Sequence, residues 1–368
     1  MKDFLVPLAI DLIRMKNTSP EAINTSAEFC ANWLGQQGLS IKVLENQGLK
    51  SVVAVGGQSD SGETLILNGH LDVVPGDPLD FVPRIEDGKL FGRGSYDMLG
   101  AVAAMMIVTA EIAKQPSACK VVLQLVPDEE TGGQCGTGFL VEQGARGDFV
   151  ICGEPTNLHI AVQAKGVLQL QIEVSGIAAH GSRPWLGKNA ITRALENYQN
   201  IQSLDFLHAS SKFFQRPSFN LAKIEGGKAI NQVPDHCSFH LDIRYLPNQD
   251  PEQILADIKN VVSDATVTVV QQGDPVQTDE NDRHVSLLQK TTSELTGKPI
   301  KLFGQDGSAD TRFYAKHAIP AVEFGPVGAN HHGPDEHVNI ESLYTYQQIL
   351  KNFITKQNER MILHEIKK

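Results

Sequence analysis

Residues 121–133 read Val-Val-Leu-Gln-Leu-Val-Pro-Asp-Glu-Glu-Thr-Gly-Gly, an apolar run followed by an acidic turn. The apolar run is typical of a strand buried inside a sheet, and the glycines allow the chain to turn sharply after it. Adjacent residues of a regular strand point to opposite faces, so Glu129 and Glu130 can share a site only beyond the strand end. The stretch therefore predicts a buried strand with two acidic groups at its carboxyl end.

Other strand-like runs also end in residues that can bind a metal. These residues are His70, Asp97 and Glu154, and His332 lies far downstream in a loop rich in Gly and Pro. In open α/β sheets, ligands bind outside the carboxyl ends of the strands. We therefore expect these sequence-distant side chains to converge on one site.

The composition is ordinary for a soluble globular protein. The chain has 368 residues and a net charge of -11 without a basic block, which argues against nucleic acid and anionic membranes as partners. Its first 20 residues lack the uninterrupted apolar core of a signal peptide, and no apolar run is long enough to span a bilayer. The five cysteines include no Cys-x-x-Cys pair, so we expect reduced thiols in the cytoplasm.

The order of predicted elements divides the chain into a discontinuous domain and an insert. Residues 166–274 show the order β-α-β-β-α-β, which is typical of a ferredoxin-like α+β domain. Helices and strands alternate in residues 1–165 and again in 275–368, which predicts an α/β domain with a mixed, mostly parallel sheet flanked by helices. We expect the two outer segments to complete one catalytic domain.

The candidate ligands favour a pair of divalent cations. Imidazole and carboxylate ligands without thiolate suit Zn²⁺, Co²⁺ or Mn²⁺, and five protein ligands exceed what one open zinc site uses. Two dications and three carboxylates nearly balance in charge, which favours deprotonation of a water between the ions. The candidate ligands are His70, Asp97, Glu130, Glu154 and His332.

Hydrolysis also requires a group that moves a proton, and Glu129 is the candidate. Asp72, two residues after His70, is the candidate acceptor for the second imidazole nitrogen of His70. The alternative for Asp72 is a turn-forming role before Val73-Val74-Pro75-Gly76.

Five segments together resemble the M20 metallopeptidase family, most closely its acetylornithine deacetylase, succinyl-diaminopimelate desuccinylase and aminoacylase branch. The similarity runs in order over almost the whole chain. The segments are Gly-His-Leu-Asp-Val-Val-Pro-Gly (69–76), Gly-Arg-Gly-Ser-Tyr-Asp-Met (92–98), Asp-Glu-Glu-Thr-Gly-Gly (128–133), Gly-Glu-Pro-Thr (153–156) and the loop around His332.

The resemblance implies a role for each candidate ligand. Asp97 would bridge two metals, His70 and Glu154 would complete one site, and Glu130 and His332 would complete the other. Glu129 would be the general acid/base, and the Asp97–Met98 peptide bond would be cis. The adjacent His331 leaves the identity of one ligand open, and the spacing to Glu336 favours His332.

The resemblance also implies that the insert is a lid and dimerisation domain. His180, in Ala-His-Gly-Ser-Arg-Pro (179–184), would reach the site of the partner in a homodimer and stabilise the oxyanion. Four further residues match positions that approach the substrate carboxylate. They are Asn231, Arg244, Gly307 and Ser308.

The leading functional hypothesis is therefore a cytoplasmic metal-dependent amidohydrolase that cleaves an N-acylated amino acid. One alternative keeps the metal chemistry but acts on a dipeptide or a C-terminal peptide bond. A second alternative, a non-catalytic binding protein on the same fold, would be favoured by loss of Glu129 or of a ligand, and none is missing from the sequence.

Overall fold

The structure, a computed structural model, describes residues 4–57, 62–115 and 119–366, with side chains up to residue 360. The helices are α1 (Leu5–Arg14), α2 (Pro20–Gln36), α3 (Leu99–Ile112), α4 (Phe139–Glu142), α5 (Ala190–Gln202), α6 (Pro251–Val261), α7 (Arg283–Thr296), α8 (Thr311–Ala315) and α9 (Ile340–Ile366). The strands are β1 (Ser40–Asn46), β2 (Leu49–Gly56), β3 (Thr64–His70), β4 (Arg84–Glu86), β5 (Lys89–Phe91), β6 (Lys120–Val126), β7 (Phe149–Cys152), β8 (Ile160–Ala164), β9 (Gly166–Ser175), β10 (Ser218–Gly226), β11 (His236–Tyr245), β12 (Ala265–Gly273), β13 (Val276–Gln277), β14 (Leu302–Gln305), β15 (Ala321–Glu323), β16 (Gly328–Ala329) and β17 (His337–Asn339).

Local sequence signals explain the helices of the first segment. The Ser19 hydroxyl accepts a hydrogen bond from the backbone N–H of Ala22 at 3.3 Å, and Pro20 is the first residue of α2. Helix α3 is buried on nearly all sides, as its continuous apolar sequence predicts. Within the described residues, no helix is both long and apolar enough to cross a membrane.

The chain forms two compact units. The first comprises the residues up to Val162, Thr278–Phe303 and the residues from Ala309 onward. Its main sheet has the strand order β1-β2-β6-β3-β7-β15-β8. The pairs among β6, β3, β7 and β15 are parallel, whereas the flanking pairs are antiparallel. The mixed α/β sheet is thus confirmed, and its parallel part is the centre.

A second, small sheet in the first unit was absent from the sequence prediction. Its strand order is β16-β17-β5-β4. These strands are only two or three residues long, and all three residues of β4 are exposed, so no alternating pattern marks them. Because β5 pairs with β17, the segment after Phe91 lies beside the segment before His337.

The second unit comprises Gln163–Gln277 and the loop Gly304–Ser308. Its antiparallel sheet has the order β10-β11-β9-β12, and with α5 and α6 it gives the predicted β-α-β-β-α-β order. Alternate residues of β11 from Cys237 to Tyr245 are buried against the helices, while Asp242 and Arg244 lie on the opposite face.

Candidate metal centre

The strand order of the first unit places four of the candidate residues at the carboxyl ends of neighbouring strands. His70 is the last residue of β3, Glu129 and Glu130 follow β6, and Glu154 follows β7. The three strands are parallel neighbours, so their carboxyl ends lie together. After β6 the chain forms a short 3₁₀ turn over Glu129–Thr131, as the prediction that both acids leave the strand requires.

Asp97 lies between two histidines. One carboxylate oxygen, Oδ1, is 3.1 Å from Nε2 of His70, and Oδ2 is 3.2 Å from Nε2 of His332. The same His332 nitrogen is 3.0 Å from Oε1 of Glu130. Potential ligand atoms of His70, Asp97 and Glu130 all lie within 4.8 Å of one another. This arrangement allows one carboxylate to contact two ions.

The peptide bond Asp97–Met98 is cis, as the resemblance implied. The buried Glu336 fixes the backbone on the other side of Asp97: its Oε1 accepts hydrogen bonds from the N–H groups of Tyr96 and Asp97 at 3.1 and 3.0 Å. Oε2 of Glu336 accepts one from Arg93 at 2.9 Å. The sequence prediction missed this role of Arg93, although both residues lie in the segments that carried the resemblance.

The tandem histidines have different surroundings. The His331 ring packs edge-on against Tyr96, with 5.9 Å between ring centroids, whereas His332 faces Asp97 and Glu130. His332 has a positive φ of 61°, which turns the backbone within the loop. The geometry therefore favours His332 over His331 as a ligand.

His70 and Asp72 are paired in a way that differs in detail from the prediction. Nδ1 of His70 lies 2.8 Å from the backbone carbonyl oxygen of Asp72 and 3.6 Å from its carboxylate Oδ1. Since a carbonyl oxygen only accepts, Nδ1 carries a hydrogen, and Nε2 is the nitrogen that faces Asp97. The acceptor that orients His70 is thus the main chain of Asp72.

The Asp72 carboxylate instead holds the acidic turn. Its Oδ1 accepts a hydrogen bond from the N–H of Glu129 at 3.1 Å, and its Oδ2 accepts one from Glu130 at 2.9 Å. Asp72 is only 4% exposed, so these bonds are shielded from water. Asp72 therefore connects His70 and the Glu129–Glu130 pair through different atoms.

Two residues that the sequence left without a role hold the far side of this turn. Arg312 donates a hydrogen bond to the carbonyl of Gly132 at 2.7 Å. Asp310 is buried and accepts a hydrogen bond from the Thr137 hydroxyl at 2.6 Å. A Cβ added to Gly133 would lie only 2.3 Å from Oδ1 of Asp310. Gly133 has a φ of 67°, so both its conformation and its surroundings require glycine.

The site contains more buried negative charge than its positive groups offset. Burial raises the pKa of Glu129 and of Glu154 well above the ordinary value, although His70 opposes both shifts. Burial would also raise the pKa of Asp97, but hydrogen bonds from His332 and His70 hold it below its usual range. Hydrogen bonds to Asp97 and Glu130 raise the pKa of His332 to about 10.

These observations fit divalent cations. The converging donors are imidazole nitrogens and carboxylate oxygens, which are ligands that Zn²⁺, Co²⁺ and Mn²⁺ accept. A cation among them would compensate the ionised forms of Glu129 and Glu154, which burial disfavours.

The remaining predicted residues lie in the second unit. His180 is exposed, and its Nδ1 accepts a hydrogen bond from the N–H of Ser182 at 3.1 Å, which leaves the hydrogen on Nε2. Gly181 donates to the carbonyl of Asn231 at 2.7 Å, so the loops of His180 and Asn231 are neighbours.

The predicted carboxylate-binding groups of the second unit lie on different elements. Arg244 binds Asp242 through two contacts of 2.8 and 3.1 Å, so its guanidinium already faces a carboxylate. Gly307 and Ser308 lie in the loop Gly304–Ser308, and a Cβ on Gly307 would meet open space.

Comparison with known proteins places the chain in a family. A family model described as Peptidase family M20/M25/M40 matches residues 66–356. A succinyl-diaminopimelate desuccinylase of Cupriavidus taiwanensis is 30% identical over 329 residues, or 83% of this chain and 84% of that protein. The structure of aminopeptidase PepT from Bacillus cereus has a TM-score of 0.82 at 20% identity and covers 97% of this chain and 99% of its own. The Bacillus subtilis YXEP protein, a dinuclear metal binding peptidase from the M20 family, has a TM-score of 0.69 at 16% identity, with coverages of 97% and 98%. The chain therefore belongs to peptidase family M20/M25/M40.

Proposed function

We propose that this chain is a metal-dependent deacylase that cleaves the amide bond of an N-acylated amino acid. Its family and its desuccinylase relatives identify it as a hydrolase of amide bonds. The observation that carries the proposal is Asp97, whose two oxygens lie 3.1 and 3.2 Å from the Nε2 atoms of His70 and His332. A carboxylate so placed can join two cations.

The proposed ligands follow from that geometry and from the resemblance. As the resemblance implies, Asp97 would be the shared ligand, His70 and Glu154 would hold one ion, and Glu130 and His332 would hold the other. Zn²⁺ is the proposed ion, with Co²⁺ or Mn²⁺ as alternatives. Divalent ions bound there would polarise the amide carbonyl and lower the pKa of a water molecule.

Glu129 is the proposed proton carrier. Asp72 orients its backbone, and burial raises the pKa of its carboxyl well above the ordinary value, which favours taking up a proton. Glu129 would take the proton from the water that adds to the carbonyl carbon. It would deliver that proton to the amide nitrogen as the C–N bond breaks, leaving a carboxylate and a free amine.

His180 and the carboxylate-binding groups complete the proposed mechanism. The tautomer of His180 presents an Nε2–H that could donate to the oxyanion in the partner of a homodimer. Arg244, Asn231, Gly307 and Ser308 would bind the substrate carboxylate, for which the fork of Arg244 is suited.

The insert is the proposed lid and dimerisation domain. Large apolar side chains are exposed on the second unit, including Trp185 at 74% and Leu186 at 63%, and Ile230 is fully exposed. Exposed apolar side chains of this kind are typical of protein interfaces. A cytoplasmic location is proposed because all five cysteines are free thiols.

The test is a substrate panel with Zn²⁺ or Co²⁺ added. It comprises N-acetylornithine, N-succinyl-diaminopimelate, other N-acyl amino acids and simple dipeptides. The proposal predicts turnover of at least one N-acyl amino acid at a higher kcat/KM than any dipeptide. Dipeptides alone as substrates would favour the peptidase alternative, which the description of the family also fits.

A further inference from the structure

The second unit contains a cavity of about 930 Å³ to which the proposed mechanism gives no role. That volume lies in the range of small-molecule sites, roughly 300–1,000 Å³. Its floor is the buried ring of Phe214, which lies against Gly304 so closely that a Cβ there would be 2.4 Å from a ring carbon. Only glycine at position 304 leaves room for this ring.

One wall of the cavity belongs to the loop that carries Gly307 and Ser308. Lys165, which is only 5% exposed, reaches from the end of β8, and its Nζ is 2.7 Å from Oδ1 of Asp306. Its backbone N–H donates to the carbonyl of Gln305 at 3.2 Å. Lys165 therefore holds the loop that carries Gly307 and Ser308, two of the proposed carboxylate-binding residues, beside the cavity.

Residues at the start of β10 also line the cavity. Ser218 lines the cavity and is the direct cross-strand partner of Arg244 on β11. Directly opposite residues in an antiparallel pair have Cβ atoms about 5 Å apart. The cavity thus borders both groups that are proposed to bind the substrate carboxylate. An amino acid held by them would have its side chain next to the cavity.

The charged groups of the cavity indicate which side chains fit. Its lining includes Lys165 and Arg216 against a single carboxylate, Asp306, which already pairs with Lys165. Arg216 is exposed, and no residue of the described ranges binds its side chain through a hydrogen bond or ion pair. A guanidinium is a planar donor that matches a carboxylate at two points.

We infer that this cavity binds the side chain of a substrate that ends in a carboxylate, and that Arg216 determines this specificity. The inference rests on the proposed function, which sets how the substrate is oriented. The preferred substrates are then N-acyl amino acids with an acidic side chain.

The test compares N-acetyl-L-glutamate with N-acetyl-L-glutamine, which have nearly the same shape and differ in charge. Wild-type enzyme should favour the glutamate derivative in kcat/KM by about tenfold, the size of one hydrogen bond to a charged group. Arg216→Gln should remove this preference by raising KM for the glutamate derivative alone. Lys259→Gln removes a positive charge from an exposed position on α6 outside the cavity lining, so it should keep the preference. Equal kcat/KM values in the wild type, or equal losses for both substrates in Arg216→Gln, would overturn the inference.

Calorimetric titration of the metal-loaded protein with L-glutamate and L-glutamine separates this inference from the proposed function. If no N-acyl amino acid is hydrolysed, the proposed function fails. In that case, tighter binding of glutamate that Arg216→Gln abolishes would still support the cavity. Equal binding of the two amino acids, or none of either, would refute it.

Discussion

Asp72 connects the strand that carries His70 to the turn that carries Glu129 and Glu130. In Asp72→Asn, the amide keeps one oxygen acceptor and replaces the other with a donor, so one of the two backbone N–H groups loses its partner. An unpaired buried N–H group costs about 1–3 kcal/mol of unfolding free energy. Asp72→Ala leaves both N–H groups without an acceptor, so it should cost about 2–6 kcal/mol. The bond that orients His70 goes to the backbone carbonyl of residue 72, so both variants retain it.

The two variants should therefore lose turnover before they lose metal. Displacement of a catalytic group by about 1 Å costs on the order of 100-fold in rate, and we expect kcat of Asp72→Asn to fall by about that factor with KM little changed. The assay combines steady-state kinetics, metal analysis and urea unfolding on the same preparation. Asp148→Asn is the control, because Asp148 is an exposed acceptor for the N–H of Thr64 at the opposite end of β3, at 2.8 Å.

The control should change the unfolding free energy by about 0.5 kcal/mol or less and leave kcat unaltered. Wild-type kcat in a folded Asp72→Asn enzyme would refute the role assigned to the carboxylate. Loss of metal in that variant, in proportion to the loss of activity, would show instead that Asp72 acts mainly by positioning the proposed ligands Glu130 and His70.

Three further predictions follow from the site and the insert. The fold raises the pKa of Glu129, Glu154 and His332, so the folded protein holds these protons more tightly than the unfolded chain does. The stability of protein stripped of metal by a chelator should therefore fall as pH rises from 6 to 9, and added Zn²⁺ should restore it most at high pH. A urea midpoint that does not change with pH would contradict this prediction. Arg312→Met should lower kcat about tenfold at unchanged metal content, with Arg312→Lys partly restoring it; unchanged kcat in Arg312→Met would exclude a role for the Gly132 contact. Trp185→Asp should dissociate the proposed homodimer into monomers in analytical ultracentrifugation, and a wild-type profile would exclude that surface from the interface.

The position of His70, Glu130 and Glu154 at the carboxyl ends of neighbouring strands was predictable because each residue ends or follows a buried strand. Buried apolar runs end at His70 and just before Glu154, and parallel strands place their carboxyl ends together. The ferredoxin-like element order was predictable for a similar reason. Apolar residues alternate with polar ones in the sequences of β9 and β11, and the apolar ones are buried in the structure.

Contacts between distant short segments were not predictable. The small sheet that pairs β5 with β17 brings the loop of His332 toward Asp97, yet its strands are too short for a periodic signal. Whether residue 72 orients His70 through its carboxylate or its carbonyl depends on angles that spacing does not encode. The contact between Arg312 and Gly132 spans 180 positions in the chain, and nothing local indicates it.

The function of Glu129 is the central claim, and Glu129→Gln tests it most directly. The amide is nearly isosteric with the carboxylate but cannot carry the proton. With metal content measured on the same sample, we expect metal binding close to that of the wild type and a fall in kcat of about 10²–10⁴-fold on whichever substrate the panel identifies. Wild-type turnover by Glu129→Gln at the same metal content would contradict the assignment of Glu129 as the general acid/base.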